Sequence, residues 1–160
     1  MIYAMSDLRG CYDKYIKMLE EIRFSDSDIL YVLGDVVDRG DGGIKILKDM
    51  MARKNVIAVR GNHDYSAARF LKLMRENPRN SKAVTETVCL WLMDVGVPAY
   101  KAFMKLSDAE QKRILSYLNS FWIYDEIEVS GRKYFLSHTV PEKARMQDFT
   151  KLLRQEFIVG

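Results

Sequence analysis

The chain has 160 residues, 48% hydrophobic and 29% charged, an ordinary composition for one globular domain. Its 25 basic and 22 acidic side chains leave a formal charge of +3, spread along the chain, which is no nucleic-acid footprint. No apolar run approaches the ~18 residues of a membrane span, and two cysteines without framework spacing argue against a disulfide scaffold.

In chain order, Ile2 to Met5 reads as a short buried strand entering a loop at Asp7. Tyr12 to Ile22 has apolar residues at helical spacing. Ile29 to Leu33 is a continuous apolar run, which suits a strand covered on both faces. Gly43 to Ala52 reads as a helix with Ile44, Leu47 and Met51 on one side, and Asn55 to Arg60 as another strand. This β-α-β-α-β order predicts a parallel sheet whose strand C-terminal ends share one edge, where open α/β sheets bind ligands.

From Asp64 the pattern turns helical. Helices are predicted over Tyr65 to Glu76 and Ser81 to Val95, and a third to about Asn119 from a capping box at Ser107 and Glu110. This stretch is expected to be a helical insert over the strand edge. Phe121 to Val129 and Lys133 to Leu136 read as strands joined by a two-residue turn at Ser130-Gly131. The second runs into Ser137-His138, and Pro141 is expected to start a polar helix. Trp91, Trp122 and Tyr124 are expected to be packing residues and not a base-stacking platform, Met50-Met51 to be core, and Arg60 to form an internal ion pair. The MIYAMSD start has no basic, apolar leader pattern. The expected location is therefore the cytoplasm, with Cys11 and Cys89 reduced.

Two strings concentrate the chemistry, Gly34-Asp35-Val36-Val37-Asp38-Arg39-Gly40 and Gly61-Asn62-His63-Asp64. Each follows a strand-like run, and one crossover separates them. A strand-end carboxylate such as Asp35 can bridge two cations, because its two oxygens accept independently. Asn62 offers an amide oxygen, and His138 an imidazole nitrogen. With Asp7 these make a mixed O/N set suited to Mn, Fe or Zn. Two such ions clamp the attacking and leaving oxygens of a phosphoryl displacement. Asp38 can hold one nitrogen of His63, leaving an imidazolium to protonate a leaving alkoxide. Arg39 offers a fixed fork to phosphate oxygens.

GDVVDRG and GNHD, together with the DLRGCYDKY context and the FLSHT strand end, resemble the calcineurin-like metallophosphoesterases over nearly the whole chain. The branch they look most like is the bacterial and phage serine/threonine protein phosphatases, and the symmetrical diadenosine tetraphosphate hydrolases look similar too. The resemblance implies an α/β metallophosphoesterase sandwich with a helical insert. It also implies two divalent ions. Asp7 would bind the first, Asp35 would bridge the two, and Asn62 and His138 would bind the second. His63 would be the acid paired with Asp38, Arg39 and Asn62 would meet the substrate phosphate, and metal-activated water would attack. Two departures stand out. Arg9 occupies the position of a metal-binding histidine, and a guanidinium has no lone pair to give. No further histidine follows His138 before Gly160. The expectation is therefore a single domain over residues 1–160, with C-terminal strands of the sandwich missing.

Three functions remain open on the residues and the resemblance together. One is a phosphoesterase acting on phosphomonoesters, above all protein phosphoserine or phosphothreonine. The second is a catalytically impaired module in which Arg9 and Arg39 bind a phosphorylated partner. The third is a diadenosine tetraphosphate hydrolase. None involves a nucleic acid or a membrane as partner.

Overall fold

The computed structural model describes residues 1–76 and 91–139. Three parallel strands, β1 (Ile2–Met5), β2 (Ile29–Leu33) and β3 (Val56–Val59), form a sheet in the order β1-β2-β3. Met5 pairs with Val32 and Leu33 with Val59, so the three C-terminal ends lie together. Leu30, Tyr31 and Val32 of the central strand are all buried, as a strand covered on both faces requires.

Helix α1 (Tyr12–Glu21) buries Tyr15 and Leu19, four residues apart on one face. Helix α2 (Gly43–Ala52) buries Ile44, Ile46, Leu47 and Met50, while Met51 is only partly buried. The two helices are tied where the Tyr15 hydroxyl donates to Asp49 at 2.7 Å. Asp49 also takes a two-pronged contact from Arg53, at 2.6 and 3.0 Å. Burial and the Asp49 carboxylate push the Tyr15 hydroxyl pKa well above its ordinary value.

Helix α3 (Asn62–Glu76) begins three residues earlier than the periodicity predicts. Asn62 and His63 therefore belong to its first turn instead of to a loop. The cause is Asp64, whose carboxylate accepts from Gly61 N–H at 3.0 Å at the helix start. Of the helix expected over Ser81 to Val95, residues 81–90 lie outside the described residues. Its end is a five-residue π-helical turn (Leu92–Gly96), a geometry the 3.6-residue pattern does not signal. Helices α4 (Val97–Met104) and α5 (Asp108–Ser120) follow, and the capping box is present, with Glu110 accepting from Ser107 N–H at 3.0 Å.

Strands β4 (Tyr124–Val129) and β5 (Arg132–Ser137) form an antiparallel hairpin. Ser130 and Gly131 both have positive φ, 52° and 74°, as a type I′ turn demands. The predicted first strand starts three residues late, because Trp122 instead bridges to Val59 beside β3. Trp122 is half exposed, whereas Trp91 is buried and Tyr124 stacks on Phe135. Among the described residues Arg60 forms no ion pair; it donates to the Asn119 and Phe121 carbonyls, at 2.7 and 3.4 Å. Those acceptors lie at the negative end of α5, which attracts a cation as an acidic side chain would. Cys11 is a free, exposed thiol, and Cys89 and the helix expected from Pro141 lie outside the described residues.

Candidate functional site

The loops leaving β1 and β2 run side by side beyond the sheet. Asp7 N–H donates to the Gly34 carbonyl at 3.1 Å, Arg9 N–H to Asp35 at 2.9 Å and Gly10 N–H to Val36 at 2.9 Å. Val36 and Val37 are fully buried and anchor the second loop. Asp64 fastens the third, since its carboxylate accepts from Asp35 N–H at 2.8 Å, Val36 N–H at 2.9 Å and Gly61 N–H. Burial pushes this carboxyl up to about 6, while the three N–H donors pull it the other way.

The site is built from strained backbone. Five of the seven non-glycine residues with positive φ among the described residues are Asp7, Arg9, Asp35, Asp38 and Arg39. Gly34 has a φ of +81°, and a Cβ there would sit 2.6 Å from Gly61 N and 2.7 Å from His138 Nδ1. Only glycine lets the three segments meet this closely.

Asp35 is fully buried at the centre. Its Oδ1 accepts from His63 N–H at 3.1 Å and lies 3.4 Å from His138 Nε2. Its Oδ2 accepts from Arg9 Nη2 at 2.8 Å. Arg9 also donates from Nε and Nη2 to Asp7, at 3.1 and 2.9 Å, and from Nη1 to His63 Nε2 at 3.0 Å. The Ser6 hydroxyl and Arg9 together hold the Asp7 carboxyl below its ordinary range. A guanidinium can only donate, so His63 Nε2 is the acceptor and Nδ1 carries the proton. That Nδ1–H points to Asp38 Oδ2 at 3.0 Å. Burial raises the Asp38 carboxyl, partly offset by Trp91 and His63.

Arg9 thus touches Asp7, Asp35 and His63, while Asp38 joins through His63 and His138 lies against Asp35. Asn62 is exposed on the first turn of α3, and Arg39 is exposed beside an open recess lined by Leu92, Val95 and Pro98. Two contributors have roles that the sequence did not assign. Trp91 donates its indole N–H to Asp38 Oδ2 at 3.0 Å, where only packing was expected. Asp64 lay inside a recognised string, but its role as a three-donor clamp depends on the fold.

The residues do not fit a first metal ion. The Arg9 guanidinium already takes up the Asp7 and Asp35 oxygens that would face it, and its fixed charge repels a cation. Among the described residues no three His, Cys, Asp or Glu side chains are grouped to hold a metal. On the other side of Asp35, two donors, Asp35 Oδ1 and His138 Nε2, face each other as candidate ligands of one ion. His138 Nδ1 lies 2.8 Å from the Leu33 carbonyl, which can only accept, so in the neutral ring the Nε2 lone pair faces Asp35 Oδ1. Two lone pairs 3.4 Å apart repel unless a cation or a proton lies between them. Ligands about 2.0–2.2 Å from one ion have this kind of spacing, and the bond from Nδ1 is the usual support of a metal-binding histidine.

Residues 1–154 match the family model described as calcineurin-like phosphoesterase. Over 81 residues the chain is 36% identical to the symmetrical bis(5'-nucleosyl)-tetraphosphatases of Salmonella typhimurium and Salmonella typhi, covering 49% of this chain. The match spans only 29% of the length of those relatives. Among solved structures, a metallophosphoesterase from Sphaerobacter thermophilus aligns with a TM-score of 0.48 at 20% identity, over 78% of this chain and 42% of that one. A hypothetical protein from Pyrococcus horikoshii aligns with a TM-score of 0.41 at 17% identity, over 84% and 54% of the two chains.

Proposed function

The chain belongs to the calcineurin-like phosphoesterases, and from that premise we propose that it hydrolyses phosphate monoesters, with protein phosphoserine or phosphothreonine as the substrate class. The observation that carries this reading is the facing pair of Asp35 Oδ1 and His138 Nε2, set 3.4 Å apart with the second imidazole nitrogen already bonded. Asp35, Asn62 and His138 would hold one divalent ion, which when bound supplies Lewis-acid polarisation of a phosphate oxygen and a more acidic water. The rest falls to the chain's own groups. Arg39 would grip the phosphate oxygens. Arg9 would add positive charge where phosphoryl charge develops. His63, oriented by Asp38, would deliver a proton from Nε2 to the leaving oxygen, and for that Nε2 must first be released from Arg9 and protonated. The reading therefore implies a slow enzyme. The substrates in the relatives' name, bis(5'-nucleosyl) tetraphosphates, are the alternative for the same site.

One contact favours a second reading. Arg9 bonded to His63 Nε2 withholds the acid, which suits a module that binds a phosphorylated partner without turning it over. The test is hydrolysis of p-nitrophenyl phosphate, a phosphoserine peptide and diadenosine tetraphosphate with added Mn²⁺. The proposal expects turnover of the first two that EDTA or His138→Ala abolishes. Preference for the tetraphosphate would support the alternative. No turnover on any substrate, with phosphopeptide binding that survives EDTA, would replace hydrolysis by the second reading.

A further inference from the structure

Asp38 is fully buried, and its two oxygens are treated very differently. Oδ2 receives both the His63 Nδ1–H and the Trp91 indole N–H, each at 3.0 Å. Oδ1 is buried with no hydrogen-bond partner among the described residues. A buried carboxylate with one bare oxygen gains by rotating to share its donors, unless something holds it. Trp91 is well placed to hold it. The indole is 6% exposed and lies against the Phe70 ring at a centroid distance of 5.5 Å. Gly96 presses so closely on the indole that a Cβ there would run into the ring. The π-helical turn that wraps it is fixed to the same loop, where Arg39 N–H donates to the Val95 carbonyl at 3.1 Å. π turns recur at functional sites.

We propose that Trp91 is a positioning residue for the Asp38–His63 pair. By donating to the oxygen that also receives His63 Nδ1–H, it fixes the carboxylate's rotation and with it the direction of the Nδ1–H bond, while Arg9 on Nε2 holds the tautomer. His63 is thereby held with its proton on Nδ1 and its Nε2 turned to the centre of the site, towards Arg9. The effect on turnover rests on the phosphoesterase reading, whereas the effect on the imidazole does not.

The test is ¹⁵N NMR of the ring nitrogens, which is tractable because His63 and His138 are the two histidines of the chain. In the wild-type protein His63 should show a protonated Nδ1 and an unprotonated Nε2. In Trp91→Phe the His63 Nδ1–H signal should broaden or shift as the Asp38 carboxylate turns, while His138, bonded to the Leu33 carbonyl, stays unchanged and reports an intact fold. Unchanged His63 signals in a folded Trp91→Phe would overturn the proposal. Should that variant fail to fold, the wild-type indole protons decide. Trp91 N–H should lie downfield and exchange more slowly than that of half-exposed Trp122, and equal exchange would overturn the proposal. Where turnover is measurable, Trp91→Phe should lower kcat with KM held within about twofold. An inactive wild type would sink the phosphoesterase reading and leave the NMR result standing.

Discussion

Arg9 Nη2 lies 2.8 Å from Oδ2 of Asp35, a carboxylate with no exposed surface. The guanidinium is the cation that makes this buried charge tolerable, and it reaches Asp7 and His63 in the same stroke. Removing one partner of a buried pair strands the other and costs about 3–5 kcal/mol. Arg9 is 23% exposed, so water screens part of this, and about 1–3 kcal/mol is the expected loss for Arg9→Ala. Urea unfolding in EDTA should show it. Added Mn²⁺ should restore stability to the variant, because a cation binding only the folded state stabilises it by mass action. A variant as stable as wild type in EDTA would mean that Asp35 needs no cation.

Asp64 holds three backbone N–H groups from two separate loops. Each buried donor left without a partner costs about 1–3 kcal/mol. Asp64→Ala is therefore expected to lose about 3 kcal/mol or more in urea unfolding, and Asp64→Asn, which keeps one acceptor oxygen, distinctly less. Equal losses would show that space filling, and not the acceptor, is what Asp64 supplies.

Much of this architecture is legible in the sequence. The apolar runs at Ile29–Leu33 and Val56–Val59 and the amphipathic segments between them specify a parallel β-α-β-α-β unit, and strand polarity then gathers Asp7, Asp35 and Asn62 at one edge. Arg9 stands out for the same reason, since a guanidinium where a lone pair is wanted is a chemical contradiction. What stays hidden depends on distance in space. Trp91 has no sequence relation to Asp38, and its indole N–H finds the carboxylate only through a π turn that no periodicity announces. Arg60 could be read as a cation in need of a partner. That the partner is the carbonyl end of α5 follows only from how the helix and β3 lie together.

Glu110 supplies a pH dependence. Its bond to Lys48 at 2.6 Å, with the Ser107 backbone and hydroxyl, depresses its carboxyl from 4.5 to about 2. A carboxyl depressed in the folded state adds stability that is fully present above the unfolded value. That contribution shrinks below about 4.5 and is gone below about 2. Melting temperatures of wild type and Glu110→Gln should therefore differ at neutral pH and converge across that interval. A gap that persists at the acid end would assign it to packing.

On the proposed reading, the Arg9 guanidinium stands in for one of two metal ions and leaves room for a single one. Metal stoichiometry of the purified chain after Mn²⁺ loading and desalting tests it most directly, with Arg9→His measured alongside. At most one equivalent is expected in the wild type and a second in Arg9→His, accompanied by a gain in p-nitrophenyl phosphate turnover. Two equivalents in the wild-type protein, or no change on replacing Arg9, would contradict it.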